Sequence, residues 1–268
     1  MTHSEAPAAH QPHEAAPVAL VTGAASGIGY AIARSLHSDG FLLGICDRNP
    51  ELLTTWRDEL IAGTAVVRVG DVGDELFRTS FVSEVAERFA GIDVLVNNAA
   101  TGGAGGPIAH LALQDLRDTL EINVVALVGM TQLALPHLAR SSRGRVINLA
   151  SLFAHDPAPN GGDYSASKGA VYSLTRLMAL EFGEEGITCN AIDPGYILTP
   201  MHEAEVAAQA AARGISVETR FAQLRAEVPM GRHGTSDDVA QAVSWLASEG
   251  ASYVTGVNLA VNGGVSFA

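Results

Sequence analysis

The sequence predicts an α/β fold: a single doubly wound Rossmann-type domain, with a seven-stranded, mainly parallel sheet and helices on both faces. Three observations carry that prediction. Seven short apolar runs recur along the chain, helix-length amphipathic segments separate them, and the runs are nearly continuous in Val, Ile and Leu, with little alternation. Strand–helix alternation implies parallel strands joined by right-handed crossovers. Unbroken apolar strands imply burial on both faces.

The runs are Val18–Val21, Phe41–Cys46, Ala65–Val69, Ile92–Val96, Arg145–Leu149, Ile187–Ile192 and Val257–Val261. Between them, Ser38-Asp39-Gly40, Ala90-Gly91 and Glu185-Gly186 each place a glycine just past a periodic stretch, where a left-handed residue closes a helix. Thr235-Ser236-Asp237-Asp238 has the form of an N-cap with an acid three residues on, opening a helix through Trp245. Two helices are long, about Leu113–Leu138 and about Tyr164–Glu184. The stretch from Ile197 to Val228 is longer and less regular, so residues 196–228 are expected to form a substrate lid on a catalytic domain spanning 18–268. Residues 1–17, rich in Ala, His and Pro, are expected to be a disordered tail.

The chain has 29 acidic against 16 basic residues, a formal net charge of −13. A surface of that sign repels nucleic-acid phosphates and anionic lipid headgroups, so neither is an expected partner. No apolar run reaches the ~18 residues of a membrane helix, and the N-terminus lacks the basic start and apolar stretch of a secretory signal. The two cysteines, Cys46 and Cys189, lie in strand-like runs without metal-ligand spacing. They are read as buried structural thiols of a cytoplasmic protein, with no metal site.

The residues with chemistry follow the strand ends. Thr22-Gly23-Ala24-Ala25-Ser26-Gly27-Ile28-Gly29 joins strand one to helix one. Glycines there let the backbone turn sharply and approach a pyrophosphate, with the helix N-terminus favouring its charge. Asp47, 18 residues after Gly29, closes strand two. A carboxylate there accepts from the adenosine ribose hydroxyls and repels a 2′-phosphate, which favours NAD over NADP. Arg48, next in the chain, is the residue that would favour the phosphate, and a simple helix cap is the structural reading of Asp47. Ser151 ends strand five, Tyr164 follows thirteen residues later, and Lys168 lies four residues beyond Tyr164. Residues four apart share a helix face. A phenol is a poor base at neutral pH, and a neighbouring ammonium together with the positive nicotinamide favours its ionised form. The pair then moves a proton to or from an alcohol oxygen held by Ser151, while hydride exchanges with nicotinamide. A lone Tyr-x-x-x-Lys is more often a surface pair; here it shares strand C-terminal ends with the glycine loop and Asp47.

With these motifs in place, the sequence resembles the short-chain dehydrogenase/reductase family, in its single-domain branch of about 250 residues. The likeness runs from about Val18 to Gly264 and rests on Thr-Gly-x-x-x-Gly-x-Gly at 22–29, Asn97-Asn98-Ala99, Asn123, Ser151, Tyr164-x-x-x-Lys168 and Pro194-Gly195. The resemblance implies a catalytic tetrad of Asn123, Ser151, Tyr164 and Lys168, with Lys168 also on the nicotinamide ribose and Asn123 anchoring a relay water. It implies a cofactor site of Gly23, Ser26, Gly27, Ile28, Gly29, Asp47, Asp71, Val72, Asn97, Ala99, Tyr164, Lys168, Pro194, Gly195, Ile197 and Thr199. Within that set, Asp71-Val72 meets adenine, Asn97 lines the adenosine side, and Ile197 and Thr199 contact the carboxamide. It also implies a homotetramer packed through the two long helices. Ala100, Asp193 and Asn262 depart from the common pattern, which has Gly, Asn and Asp there.

The substrate is expected to meet Thr101–Leu111, Leu152–Asp163 and the lid. Acidic surroundings and few aromatics lean towards a polyol, sugar or small hydroxy compound. A 3-oxoacyl-type reductase using NADPH is the alternative, opposed by Asp47 and the negative charge. Enoyl reductases stretch the Tyr-to-Lys spacing beyond four. A non-catalytic NAD(H) sensor would show a broken tetrad.

Overall fold

The computed structural model describes residues 16–50, 56, 60 and 63–267. The expected N-terminal tail lies outside the described residues except for Ala16 and Pro17. Strands β1 (Val18–Thr22), β2 (Leu42–Asp47), β3 (Ala65–Val69), β4 (Val94–Asn97), β5 (Arg145–Leu149), β6 (Thr188–Pro194) and β7 (Asn258–Val261) form one sheet in the order β3-β2-β1-β4-β5-β6-β7. Every pairing is parallel, with Val18 beside Leu42, Ala19 beside Val94 and Arg145 beside Thr188. The strand order reverses between β1 and β4, and a crevice opens there beyond the C-terminal strand ends.

Side chains alternate between two cores. Ala19 and Val21 point to the face covered by α1 (Gly27–Ser38) and, from the end of the chain, the helix Ser236–Ala247. Val18 and Leu20 point to the other face, under α2 (Glu75–Phe89) and the two long helices. Both faces being dry explains why the strands read as unbroken apolar runs.

The first long helix is not continuous. It comprises α3 (Leu113–Leu120), a π-helical turn (Glu121–Val125) and α4 (Ala126–Leu138). Against the expectation of no membrane-length run, Leu113–Leu138 is long and apolar enough by composition to cross a membrane. Ala126, Met130, Ala134 and Leu138 on one side of it are packed in the second core, which accounts for much of its apolar composition. The second long helix, α5, runs Gly162–Phe182 and ends through a 3₁₀ turn at Gly186 (φ +75°).

The stretch expected to be irregular is helical. Thr199 caps α6 (Pro200–Arg213) by accepting from the His202 N–H at 3.2 Å, with Pro at the first position. The alanine run then propagates the helix, and Gly214 closes it in the left-handed region (φ +63°). Ser216 starts α7 (Val217–Glu227). The last helix, α8 (Ser236–Ala247), opens on the expected capping box.

Candidate active site

The glycine loop is shaped by what it touches. Gly23 has φ +67°, and a Cβ there would sit 2.8 Å from Ala99 Cα. A Cβ on Gly29 would overlap the Gly23 carbonyl and the Asn98 amide. Asn98 Nδ2 donates to the carbonyls of Thr22 and Gly23, each at 2.9 Å, and thereby fixes the loop to the end of β4. The sequence reading passed over this role for Asn98. Gly27 (φ +54°) abuts Thr199, whose Cγ2 lies 3.2 Å from where a Cβ would be, so the start of the lid packs on the loop.

An open cleft lies beside the loop, lined by Gly23, Asp47, Arg48, Asp71, Val72 and Thr101 among others. Asp47 Oδ2 accepts from the Ala25 N–H at 3.0 Å and Oδ1 from the Asn49 N–H at 3.0 Å. The carboxylate is therefore aimed by two backbone donors, acting as a local cap and a cleft wall together. Asp71 Oδ1 accepts from the Gly73 N–H at 2.8 Å.

Other expected cofactor residues are disposed differently. Ser26 is exposed and its side chain caps nothing, while Ile28 packs on the first core. Asn97 is buried and donates to Thr131 Oγ1 at 3.2 Å and Asn148 Oδ1 at 2.9 Å, so its amide braces the strands from within. Ile197 has its side chain in the core, against Gly234. Gly195 leaves no room for a Cβ, which would stand 2.7 Å from Asn262 Cβ, and its N–H donates to Val261 O at 3.1 Å.

The four residues of the expected tetrad lie near one another past the end of β5, with Asn123 bonded to Thr101 on the cleft wall. Lys168 is buried and its Nζ donates to the Leu149 carbonyl at 2.7 Å, 5.7 Å from the Tyr164 ring centroid. Ser151, at the end of β5, is buried beside the phenol and accepts from the Phe153 N–H at 3.2 Å. Phe153 meets the Tyr164 ring edge-on, with centroids 6.4 Å apart. Asn123 sits in the π turn. Its Oδ1 accepts from the Thr101 N–H at 2.8 Å, and its Nδ2 donates to Thr101 O at 3.0 Å and Ser167 Oγ at 2.9 Å.

Electrostatics correct one expectation. Burial pushes the Tyr164 phenol up to about 12; the Ser151 hydroxyl draws it back, and the charges of Glu205 and Asp193 raise it further. Burial pushes the Lys168 ammonium down to about 8. The chain's own residues therefore oppose the phenolate instead of favouring it, because desolvation outweighs a single ammonium engaged with a carbonyl. Added positive charge at this point is what the site needs to ionise the phenol.

Comparisons with known proteins decide the family. A family profile described as enoyl-(acyl carrier protein) reductase matches residues 23–266. L-fucose dehydrogenase from Mus musculus is 37% identical, over 92% of this chain and 87% of its own. Among solved structures, NAD+-bound xylitol dehydrogenase superposes with a TM-score of 0.86 at 32% identity, covering 92% of this chain and 98% of that one. A variant of actinorhodin polyketide ketoreductase with NADPH superposes with a TM-score of 0.88 at 37% identity, covering 93% and 97%.

The chain belongs to the short-chain dehydrogenase/reductase family.

This dehydrogenase/reductase is thus an oxidoreductase of the alcohol/carbonyl pair, on a fold that binds a nicotinamide cofactor. The residues present fit that cofactor. The loop's glycines leave its backbone bare where any Cβ would collide, and an acid-walled cleft continues from it past Asp71. Gly23, Gly27 and Gly29 would hold the pyrophosphate, Asp47, Asp71 and Val72 the adenosine end, and Lys168 the nicotinamide ribose. When bound, the nicotinamide supplies the hydride donor or acceptor and a positive charge in its oxidised form.

Proposed function

We propose that this dehydrogenase/reductase uses NAD and acts on a small hydroxylated compound, a polyol or sugar, with Asn123, Ser151, Tyr164 and Lys168 as its catalytic residues and the helical lid 196–228 closing one catalytic domain. The observation that carries the reading is the Ser151–Tyr164–Lys168 arrangement at the end of β5, with Asp47 on the wall of the cleft beside the glycine loop. In the oxidative direction Ser151 holds the alcohol oxygen, and the Tyr164 phenolate takes its proton. Lys168 keeps a positive charge near the phenol up to about pH 8, and Asn123 tethers the Thr101 backbone beside it. Reduction reverses the transfer, with the neutral phenol giving its proton to the carbonyl oxygen.

A carboxylate at the end of β2 supports NAD, because it accepts from two ribose hydroxyls and repels a 2′-phosphate. Xylitol and L-fucose dehydrogenases at 32% and 37% identity support the hydroxylated substrate. Arg48 on the same cleft, with a 37% identical ketoreductase bound to NADPH, favours the second reading, a ketoacyl-type reductase. We further infer a cytoplasmic protein, in keeping with two buried free thiols.

The test is turnover with NAD+ and with NADP+ on a panel of polyols, aldoses and secondary alcohols, then with NADH and NADPH on ketoacyl thioesters. Preference for NAD+ and a polyol or sugar supports the first reading; NADPH-driven ketone reduction supports the second. Tyr164→Phe is expected to lower kcat by about 10²–10⁴-fold with NADH affinity unchanged. Retained turnover would remove Tyr164 from its role. Asp47→Ala is expected to narrow the NAD+/NADP+ ratio of kcat/KM by about tenfold or more. An unchanged ratio would leave Asp47 as a cap alone.

A further inference from the structure

The residue before the proposed acid–base group is a fully buried carboxylate that no cation meets among the described ion pairs. Asp163 Oδ2 accepts from the N–H groups of Ala104 at 2.8 Å and Gly105 at 3.4 Å, and from Thr119 Oγ1 at 3.3 Å. Its Oδ1 accepts from the Tyr164 N–H at 2.8 Å. One side chain thus joins the glycine-rich segment, helix α3 and the first turn of α5. A buried carboxylate is costly unless its lone pairs are filled, and here two backbone amides of the glycine loop, the Thr119 hydroxyl and the Tyr164 N–H fill them.

That loop has little to hold it otherwise. Gly103, Gly105 and Gly106 all have positive φ (+76°, +70° and +108°), which other residues adopt only with strain. Such a segment has high conformational entropy unless it is tied down. Three ties exist. Asn123 grips Thr101, Asp163 grips Ala104 and Gly105, and the Gly106 N–H donates to Asn160 O at 2.7 Å, beside a bridge from Gly106 to Gly161. The fit around the carboxylate is tight: a Cβ on Gly103 would fall inside it.

We propose that Asp163 is a positioning residue, a latch that welds the glycine wall at 101–106 to the start of the Tyr164 helix, so that one face of the substrate site is set in register with the acid–base group before substrate arrives. The inference rests on Tyr164 holding that role. Asp163 does not touch substrate; it fixes the wall substrate packs against, and small errors in such placement are costly. Of the expected substrate segments, two are then locked together, and adaptability falls to the α6–α7 lid.

The experiment uses the full chain and three variants. Asp163→Asn keeps the shape but sets an amide N–H₂ or a lone acceptor against three donors. Gly103→Ala displaces the carboxylate from the other side while leaving it charged. Thr119→Val removes one donor and is the mildest. Amide hydrogen exchange is expected to quicken about tenfold in 101–106 for Asp163→Asn and Gly103→Ala, with 18–47 unchanged. KM for the alcohol or ketone should rise about tenfold, with NADH affinity within about twofold of the parent. The double variant should add little to either single one. If Asp163→Asn does not fold, Gly103→Ala and Thr119→Val still report on the exchange. Unchanged exchange in 101–106, or a loss confined to kcat and thermal midpoint with KM unmoved, would overturn the latch. Absence of turnover by the parent on every substrate would sink the functional reading alone, since the exchange result needs no substrate.

Discussion

Asp193 shows how one residue can tie the site to the stability of the whole. It is the next-to-last residue of β6, is fully buried, and neither oxygen has a well-formed hydrogen bond; the Asn258 amide lies near without bonding geometry. Burial pushes its carboxyl up to about 6, His155 and Asn258 ease the shift, and Asp156 adds to it. An acid whose folded value is raised contributes its stability fully below the ordinary carboxylate range and loses it as pH rises through about 6. Above that pH, the ionised group costs the fold on the order of 2 kcal/mol. Asp193→Asn is therefore expected to raise the thermal midpoint at neutral pH and to change it little near about pH 4. An equal effect at both values would mean that the carboxyl is paired after all. At this scale the sequence was informative wherever spacing along one element sets geometry, as for Tyr164 and Lys168. It was silent on Asp163, on the bracing role of Asn98 and on the buried Arg78, which donates to Val72 O at 2.5 Å. Their partners lie on other elements, and Asp and Arg are ordinarily surface residues.

The seven strands were legible because burial on both faces writes an apolar run into each one. Helix ends marked by glycine were legible at Gly40 and Gly186; at Ala90-Gly91 the left-handed position falls on Ala90 (φ +63°), one residue early. The π turn at 121–125 was not legible, since Asn123 is held there by Thr101 and Ser167 across the fold. The helices within 196–228 were not legible because, polar and alanine-rich, they bury little, although Thr199, Pro200 and Gly214 mark the limits of the first. Helix α8 offers the clearest element-scale test. Thr235 Oγ1 accepts from the Asp238 N–H at 3.2 Å, Asp238 accepts from the Thr235 N–H at 2.7 Å, and Arg232 clamps the same carboxylate at 2.7 and 2.9 Å. The Arg232 guanidinium holds that carboxyl well below the usual range, so its stabilising effect is present at neutral pH and is lost as pH falls through the depressed value. Thr235→Ala is expected to cost about 1 kcal/mol at neutral pH, read from the urea midpoint. An unmoved midpoint would show that α8 is held by its packing on α1 alone.

For the whole molecule, the long helices leave large apolar side chains uncovered. Leu113, Val125, Leu177 and Leu180 are exposed on them, Leu180 to 81%. Several uncovered apolar side chains on helices that share one side of the sheet are the raw material of an association surface. We propose that this face carries the homotetramer the family resemblance implies. Light scattering on the purified chain is expected to give four times the mass of one 27.8 kDa chain. Leu180→Glu, placing a charge on that face, should shift the mass to a smaller species. A monomeric parent would overturn the assembly.

Trp56 lies beneath the glycine loop. Its Nε1 donates to the Ala24 carbonyl at 2.7 Å, and its ring packs on Tyr30 with centroids 4.7 Å apart. The only other tryptophan, Trp245, is partly exposed on α8. The enzyme therefore carries an intrinsic optical reporter wired to the glycine loop. Shielded indole emits towards the blue, and its emission overlaps reduced nicotinamide absorption. Cofactor arrival can then be watched in real time as energy transfer, without label or substrate, in every variant that spares Trp56.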